Sequence, residues 1–549
     1  MKKDIQNQKE TSILFVIPPY FNADDFVDKQ KSAVLPAFTI PYGILSLEAY
    51  LSKNCSGAVN IKILDLNIDL KYLLDSHSQE NLANYFENKI IEVCKEFVPD
   101  IVGISALFNS SFKYLEQNAS TIKKYSKDVL VLAGGGLPSA AYKEVLSQSP
   151  SIDAVCKGEG ELPLRALIDA NDRVAVLESH KSWVTSAAAD SGKIPALDFV
   201  EDLDDIPELN YELLDLTNYN SRSIDKRFAE KKSREMSIHT SRGCPFMCVF
   251  CSNPSLHGKS VRTMSIPRIV SDVRRMRDDY GMDVLLIEDD HFFNDVPRAK
   301  DVLKSLIELG IRIEFPNGVA VYAIDDEVAS LFARAGVSSV ALAVESGSDY
   351  VLKNIIKKPL KKKLIKPAVD NLRRHGVMSH VFIVIGLPGE MPEHRDETLE
   401  MLINSGFDWA HVFCAIPIYG SRLFDICVEN DYIEDSTADD YVTTKSLIRA
   451  PGVDPDNIQI ESYDMNLAVN FVNNFNFKIK NYKIAEDYFR NVCEKYPEHM
   501  FGQLFLAETL KAQGKEDWLE HLSIAKEIYN SDNFWIDKVA KFEIGHLLS

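Results

Sequence analysis

The sequence has no apolar run approaching the roughly 20 residues that cross a bilayer; stretches such as Val381-Phe-Ile-Val-Ile385 fall far short. No transmembrane helix is expected. A secretory signal is also missing, because Lys2 and Lys3 lead into a polar stretch and the apolar residues 13–17 are too few for a signal core. Positive charge is scarce. Lys and Arg number 61 against 81 Asp and Glu, and a net charge of -20 argues against nucleic acid or an anionic membrane as a partner of the whole chain. The mixed-charge residues 225–234 read as a solvated segment. Histidine is absent from residues 1–76. Of nine cysteines, Cys55, Cys94, Cys156, Cys414, Cys427 and Cys493 are scattered without the spacing of a disulfide framework, which suits a reducing compartment, the cytoplasm.

What is present is the composition of a globular protein, 46% hydrophobic and 26% charged, long enough at 549 residues for about three domains. Short apolar runs at 13–17, 59–64, 100–105, 129–133 and 154–156 alternate with helical patterns at 43–51 and 81–97, predicting an N-terminal doubly wound, Rossmann-like parallel sheet over residues 11–167. Ligands of such sheets lie at the carboxyl ends of strands, which places Pro18, Pro19, Ser105, Gly134, Gly135, Gly136 and Gly158 along one crevice. Residues 168–235 lack sustained periodicity and read as a linker.

A second alternation follows. Strands are expected at 236–240, 284–287, 313–315, 340–344, 381–385 and 411–415, with helices near 266–280, 296–309, 326–335, 361–375 and 394–405. Residues 236–450 are thus predicted to form a partial parallel (β/α)6 barrel. The remainder, 451–549, reads as α-helical. Ala485, Phe489, Val492 and Pro497 have tetratricopeptide-like spacing, and an amphipathic bundle capping the barrel fits equally well; either form offers a surface for a protein partner.

Three cysteines are clustered. In Ser241-Arg-Gly-Cys244-Pro-Phe-Met-Cys248-Val-Phe-Cys251 the spacing brings Cys244, Cys248 and Cys251 together on a loop after a strand. Three soft ligands suit three irons of a 4Fe-4S cubane and leave the fourth iron open for chemistry on a substrate. The alternative is a structural zinc, with His239 or His257 as fourth ligand.

This motif, including Phe250, resembles the signature loop of the radical S-adenosylmethionine superfamily, and later segments agree in order: Glu288-Asp-Asp290, Val344-Glu-Ser-Gly347 and Ile385-Gly-Leu-Pro-Gly-Glu390. The resemblance implies that Phe250, Glu288, Glu345, Ser346 and Gly386 hold S-adenosyl-L-methionine. It also implies reductive cleavage of that cofactor to a 5'-deoxyadenosyl radical, with the protein supplying orientation and exclusion of water.

The domain before the barrel resembles the cobalamin-binding domain of one branch of that superfamily. Pro41-Tyr-Gly43, Ser105, Ala133-Gly-Gly-Gly136 and Lys157-Gly-Glu-Gly-Glu161 carry the likeness, and it implies that Ser105, Gly134, Gly135 and Gly158 lie against the corrinoid. A flavodoxin-like domain for another nucleotide, or for none, is the alternative. Without a histidine in residues 1–76 the chain cannot offer the Asp-x-His-x-x-Gly ligand of classical cobalamin domains.

The expected function is methylation of an unactivated carbon of a small-molecule substrate, with electrons from a donor such as flavodoxin or ferredoxin. Radical cyclisation or rearrangement without net methylation is a second reading. A methylthiotransferase acting on RNA is disfavoured, since Cys55, Cys94 and Cys156 are far apart and the tail is not strongly basic. His291 and Tyr419 fall where a substrate is expected, with structural roles as the plainer reading.

Overall fold

A computed structural model describes residues 10–20, 38–75, 81–219, 233–433 and 445–549; most of the 225–234 segment lies outside them. The described residues fall into two compact units, one from residues 10–219, 234–295 and 416–433, the other from 296–415 and 445–549.

The first unit opens with β1 (Thr11–Ile17), α1 (Tyr42–Asn54), β2 (Val59–Asp65), α2 (Leu66–Asp75), α3 (Leu82–Phe97), β3 (Ile101–Ser105), α4 (Phe112–Tyr125), β4 (Leu130–Gly134), α5 (Gly136–Ala140), α6 (Tyr142–Gln148), β5 (Ala154–Cys156), α7 (Glu161–Asp169), α8 (Arg173–Ser179) and β6 (Trp183–Val184). The sheet order is β2-β1-β3-β4-β5-β6, parallel except for β6. Strand residues alternate between faces, and both sets are apolar here. Leu14 and Val16 pack with Leu70, Phe86, Ile90 and Leu115. Ile13, Phe15 and Ile17 pack with Ile44, Leu51, Leu164 and Trp183. Two buried faces need helices on both sides, which is the doubly wound arrangement the sequence predicts. The strand order reverses at β1, so the crevice between the β1 and β3 ends is the switch point where such sheets bind ligands.

The structure departs from the linker expected over 168–235. Residues 173–184 add a helix and an antiparallel edge strand, and the Trp183 indole donates to the Pro163 carbonyl at 3.1 Å. A two-residue strand is too short to show a period, so sequence pattern alone could not reveal it.

The same unit contains β7 (Glu235–Ile238), β8 (Ser241–Arg242), β9 (Arg262–Thr263), α9 (Ile266–Tyr280) and β10 (Val284–Ile287). β7 and β10 pair in parallel, and β8 and β9 form a two-residue antiparallel ladder.

The second unit carries α10 (Val296–Ile307), β11 (Arg312–Glu314), α11 (Asp326–Arg334), β12 (Ser339–Glu345), α12 (Ile365–Arg374), β13 (Met378–Ile385), α13 (Pro392–Ser405) and β14 (Trp409–Cys414). The order β12-β13-β14 is wholly parallel, and all six strands expected between 236 and 415 are present within a few residues of their predicted ends. Leu342, Val344, Val381, Ile383 and Ile385 are buried on one face of this sheet.

From residue 455 the described chain is helical: α14 (Pro455–Leu467), α15 (Tyr482–Lys495), α16 (Met500–Ala512), α17 (Trp518–Ser531) and α18 (Asn533–Lys541), around a core of Phe489, Phe501, Leu504, Phe505 and Trp535. Its first part seals the β14 edge. Asn470 accepts from the Ala410 amide and donates to its carbonyl, both at 2.8 Å, and Asn466 does the same for Val412 at 3.2 and 3.1 Å. Two asparagines four residues apart lie on one helical face, so their amides act as a substitute strand and remove an unpaired edge. Asn470→Ala strands a buried amide and carbonyl and is expected to cost about 1–3 kcal/mol; chemical denaturation followed by far-ultraviolet circular dichroism measures it.

Candidate functional site

The cysteine loop is closed at its base by the β8–β9 ladder, in which Ser241 faces Thr263 and Arg242 faces Arg262. Carboxylates from the end of β10 fix the entry. Asp289 is buried and accepts from the Thr240 amide (2.6 Å), the Thr240 hydroxyl (2.7 Å) and the Ser241 hydroxyl (2.6 Å), while Asp290 accepts from the Gly243 amide at 2.8 Å. Burial pushes the Asp289 carboxyl up to about 6, with the donors from Thr240 and Ser241 opposing the rise. Gly243, with φ +96°, has no room for a side chain, since a Cβ would stand 2.3 Å from the Ser260 carbonyl.

Within the loop the Cys251 amide donates to the Cys248 carbonyl at 3.0 Å, and the Leu423 amide, at the start of the helix Arg422–Glu429, donates to the Val249 carbonyl at 2.7 Å. All three cysteines are partly exposed. Burial pushes the Cys251 thiol up to about 11, with Cys248 and Cys244 adding repulsion. Three thiols close enough to repel as thiolates suit a cation-rich group. Among the described residues no three His, Cys, Asp or Glu side chains converge on one metal ion. A cubane instead gives each thiolate its own iron, so its ligands surround a volume rather than a point. The two histidines of the zinc alternative are engaged elsewhere: His257 Nδ1 is 2.8 Å from Glu159, and the His239 ring stands 4.7 Å from Tyr42. The donor set fits a 4Fe-4S cluster.

Glu288 at the end of β10 is half-buried, 3.9 Å from His239 Nε2. Phe250 is half-buried on the loop. His291 is buried with its ring 5.1 Å from Phe246, and Tyr419 stacks on Phe112 and packs against Phe424, as a loop anchor does.

Sequence reading missed a buried charge network around the loop. Arg242 donates to Glu159 at 2.8 Å, to Glu161 at 2.9 Å and to the Ser46 hydroxyl at 2.9 Å; Arg262 donates to both Glu159 oxygens and to the Val200 carbonyl. Burial alone would raise the Glu159 pKa, but Arg242 and the hydrogen bonds from His257 and Arg262 hold it far below the usual carboxylate range. The signal was present in Lys157-Gly-Glu-Gly-Glu161, where the glycines drew attention and the carboxylates did not.

At the carboxyl ends of β3, β4 and β5 the structure brings Ser105, Gly134, Gly135 and Gly158 together around one cleft of about 440 Å³, including the part open to solvent. Its wall is apolar, from Phe15, Leu47, Leu132, Leu164 and Trp183. Gly135 has φ +94°, and a Cβ there would lie 2.5 Å from the Ala106 carbonyl, so glycine is required by the backbone itself. At Gly134 a Cβ would meet nothing nearer than Cys156 Cβ at 4.0 Å, leaving the space beside it open. A bare backbone rim over an apolar slot of this size fits a planar base such as that of a nucleotide tail, with a larger ring system left at the rim.

In the second unit Glu345 ends β12 at a register shift with φ +71°, a conformation that costs a non-glycine residue about 1–3 kcal/mol, and its carboxylate pairs with Lys358 at 3.0 Å. Ser346 is fully buried; its hydroxyl accepts from the Ser348 amide (3.1 Å) and lies 3.3 Å from the Thr398 hydroxyl. Gly386 has φ +83°, a Cβ there would meet Ile458 at 2.7 Å, and its amide donates to the buried Glu390 carboxylate.

Comparison with known proteins agrees with this geometry. Residues 238–402 match the model of the radical SAM superfamily and residues 32–168 that of the B12 binding domain. The chain is 29% identical over 450 residues to cytidylyl-2-hydroxyethylphosphonate methyltransferase of Streptomyces wedmorensis, covering 76% of this chain and 84% of that protein. Among solved structures, the radical S-adenosylmethionine methyltransferase TsrM of Kitasatospora setae, with cobalamin and a [4Fe-4S] cluster bound, superposes with a TM-score of 0.59 at 14% identity over 95% of this chain and all of that one. The cobalamin-dependent S-adenosylmethionine radical enzyme OxsB superposes with a TM-score of 0.58 at 15% identity, over 97% of this chain and 81% of that one. At these identities the likeness speaks to the fold. Gly134→Ala adds a methyl group to the cleft wall without a clash: the melting temperature is expected to stay at the wild-type value while less corrinoid co-elutes in gel filtration, read by its visible absorbance.

Proposed function

As a member of the radical S-adenosylmethionine superfamily that carries a B12-binding domain ahead of its radical domain, this chain, we propose, methylates an unactivated carbon of a small metabolite. The observation that carries the reading is that, within one unit, residues 157–161 both line the glycine-rimmed apolar cleft and bond to the residues flanking the three-cysteine loop. Bound there, the cluster supplies an electron for cleavage of S-adenosylmethionine and the corrinoid supplies a transferable methyl group.

The chain's own residues bind and orient. Cys244, Cys248 and Cys251 hold the cluster, and Asp289 and Asp290 fix the turn that presents it. Ser105, Gly134, Gly135 and Gly158 give backbone contact to the corrinoid. In the first unit Phe250 and Glu288 are assigned to S-adenosylmethionine. In the second unit Glu345 and Gly386 are assigned to the same cofactor, with Ser346 securing the turn between β12 and the segment that follows. The corrinoid-binding part is taken as residues 11–167, the barrel as 236–450 and the helical region as 451–549.

Each turnover on this reading consumes two molecules of S-adenosylmethionine and two electrons. One molecule loses its methyl group and leaves S-adenosylhomocysteine; the other gives methionine and, with a hydrogen atom from the substrate carbon, 5'-deoxyadenosine. The electrons come from a flavodoxin- or ferredoxin-type donor, and the cytoplasm is the compartment that supplies both. No helix among the described residues is long and apolar enough to cross a membrane.

Anaerobically purified protein with iron, sulfide and corrinoid quantified, reduced and given S-adenosylmethionine, is expected to form S-adenosylhomocysteine as well as 5'-deoxyadenosine, measured by mass spectrometry. Formation of 5'-deoxyadenosine alone in corrinoid-loaded protein with a turned-over substrate would favour cyclisation or rearrangement. Cys248→Ala is expected to lose the cluster's visible absorption and all 5'-deoxyadenosine formation.

A further inference from the structure

The carboxylates Glu159 and Glu161 are buried and bonded to two arginines, a histidine and a serine. Glu159 and Glu161 side chains are each 3% exposed. Their partners flank the cluster loop on both sides: Arg242 stands two residues before Cys244, and His257 and Arg262 follow Cys251. Arg242 and Arg262 are themselves the facing pair of the β8–β9 ladder. Arg262 is further held by the Phe199 ring, 3.9 Å from its guanidinium carbon.

The same loop lines the corrinoid cleft with Gly158 and Gly160. A Cβ on Gly158 would lie 3.1 Å from the carbonyl of Leu256, a residue of the segment that runs from Cys251 to His257. The cleft wall therefore approaches the chain leaving the cluster loop too closely for a side chain at Gly158, and charged hydrogen bonds join the two at neighbouring Glu159. Apolar packing would join two elements at lower desolvation cost; planar guanidiniums gripping carboxylates fix direction as well as distance.

We propose that Glu159 is a positioning residue that sets the cluster loop against the corrinoid cleft, so that the separation of the two cofactors is held by the Glu159–Arg242–Arg262–His257 network. Glu161 and Ser46 support it by holding the far side of Arg242. Removal of the Glu159 charge leaves Arg262 without a carboxylate partner and Arg242 with Glu161 alone, and the loop then samples several positions relative to the cleft.

The inference rests on the reading that both cofactors are resident, so the test counts them. Full-length holoprotein is prepared with the cluster reduced and the corrinoid as cob(II)alamin, both paramagnetic, and pulsed EPR reads their spin–spin separation. Wild type is expected to give one narrow distance distribution. Glu159→Gln, at full iron and corrinoid content, is expected to lose that narrow distribution and to make more 5'-deoxyadenosine per S-adenosylhomocysteine. If Glu159→Gln does not fold, His257→Gln, which removes one donor at a partly exposed position, is judged by the same criterion. A folded variant with both cofactors and the wild-type distribution overturns the coupling alone. Wild-type protein that binds no corrinoid overturns the functional reading as well.

Discussion

The arrangement of the first unit depends on a buried cluster of charge. Taking Glu159, Glu161, Arg242 and Arg262 out of water is costly, and their attraction offsets that cost only when geometry is good and remaining donors are used. The geometry is good and most groups are used: two carboxylates face two guanidiniums, and Ser46, His257 and the Val200 carbonyl take further bonds, while the buried Arg262 Nε is left without a partner. Such a cluster tolerates little displacement. The β8–β9 ladder has only two residue pairs to close the nineteen-residue excursion 243–261, and the arginines that face each other in it add charged hydrogen bonds to Glu159.

Regular elements were legible because their signals are periodic. β1 shows both strand faces apolar, and the helices α9 and α11 fall within a residue of their expected limits. The cysteine loop was legible from spacing, and the cleft from the rule that ligands gather at strand ends. What sequence could not show was where loop side chains point. Glu159 and Arg242 are 83 residues apart, and Asn470 and Ala410 are 60 apart; no local period links either pair. The carboxylates after β10 illustrate the same limit. The resemblance assigned Glu288 of Glu288-Asp-Asp290 to cofactor and said nothing of its neighbours; Asp289 and Asp290 accept from Thr240, Ser241 and Gly243, a role visible only once the strands are side by side.

The helical region has a physical task independent of any partner. An open parallel sheet ends in an edge strand whose amides and carbonyls must be satisfied. A helix cannot pair with a strand through its own backbone, because its groups are already used within it. Asparagine solves this, carrying one donor and one acceptor at the end of a short side chain, and Asn466 and Asn470 repeat at one helical turn to match alternate residues Val412 and Ala410. Asn476 continues the pattern by donating to Asp408, which in turn accepts from the Ser379 amide.

The end of β1 bears on how a corrinoid is met. Classical cobalamin domains place a histidine there; here the loop is Pro18-Pro19-Tyr20, followed by residues without histidine up to position 76. The structure shows what stands in its place. Asn67 donates to the Pro18 carbonyl and accepts from the Tyr20 amide, and Ser111 donates to the Pro19 carbonyl, so the loop is pinned through its backbone. Tyr20 turns its ring edge-on to Phe108, 5.7 Å away, and Phe108 and Leu107 remain exposed at the end of β3. An apolar, backbone-anchored surface replaces a nitrogen donor. A surface of this kind would meet a bound corrinoid through apolar contact and a backbone pinned by Asn67 and Ser111.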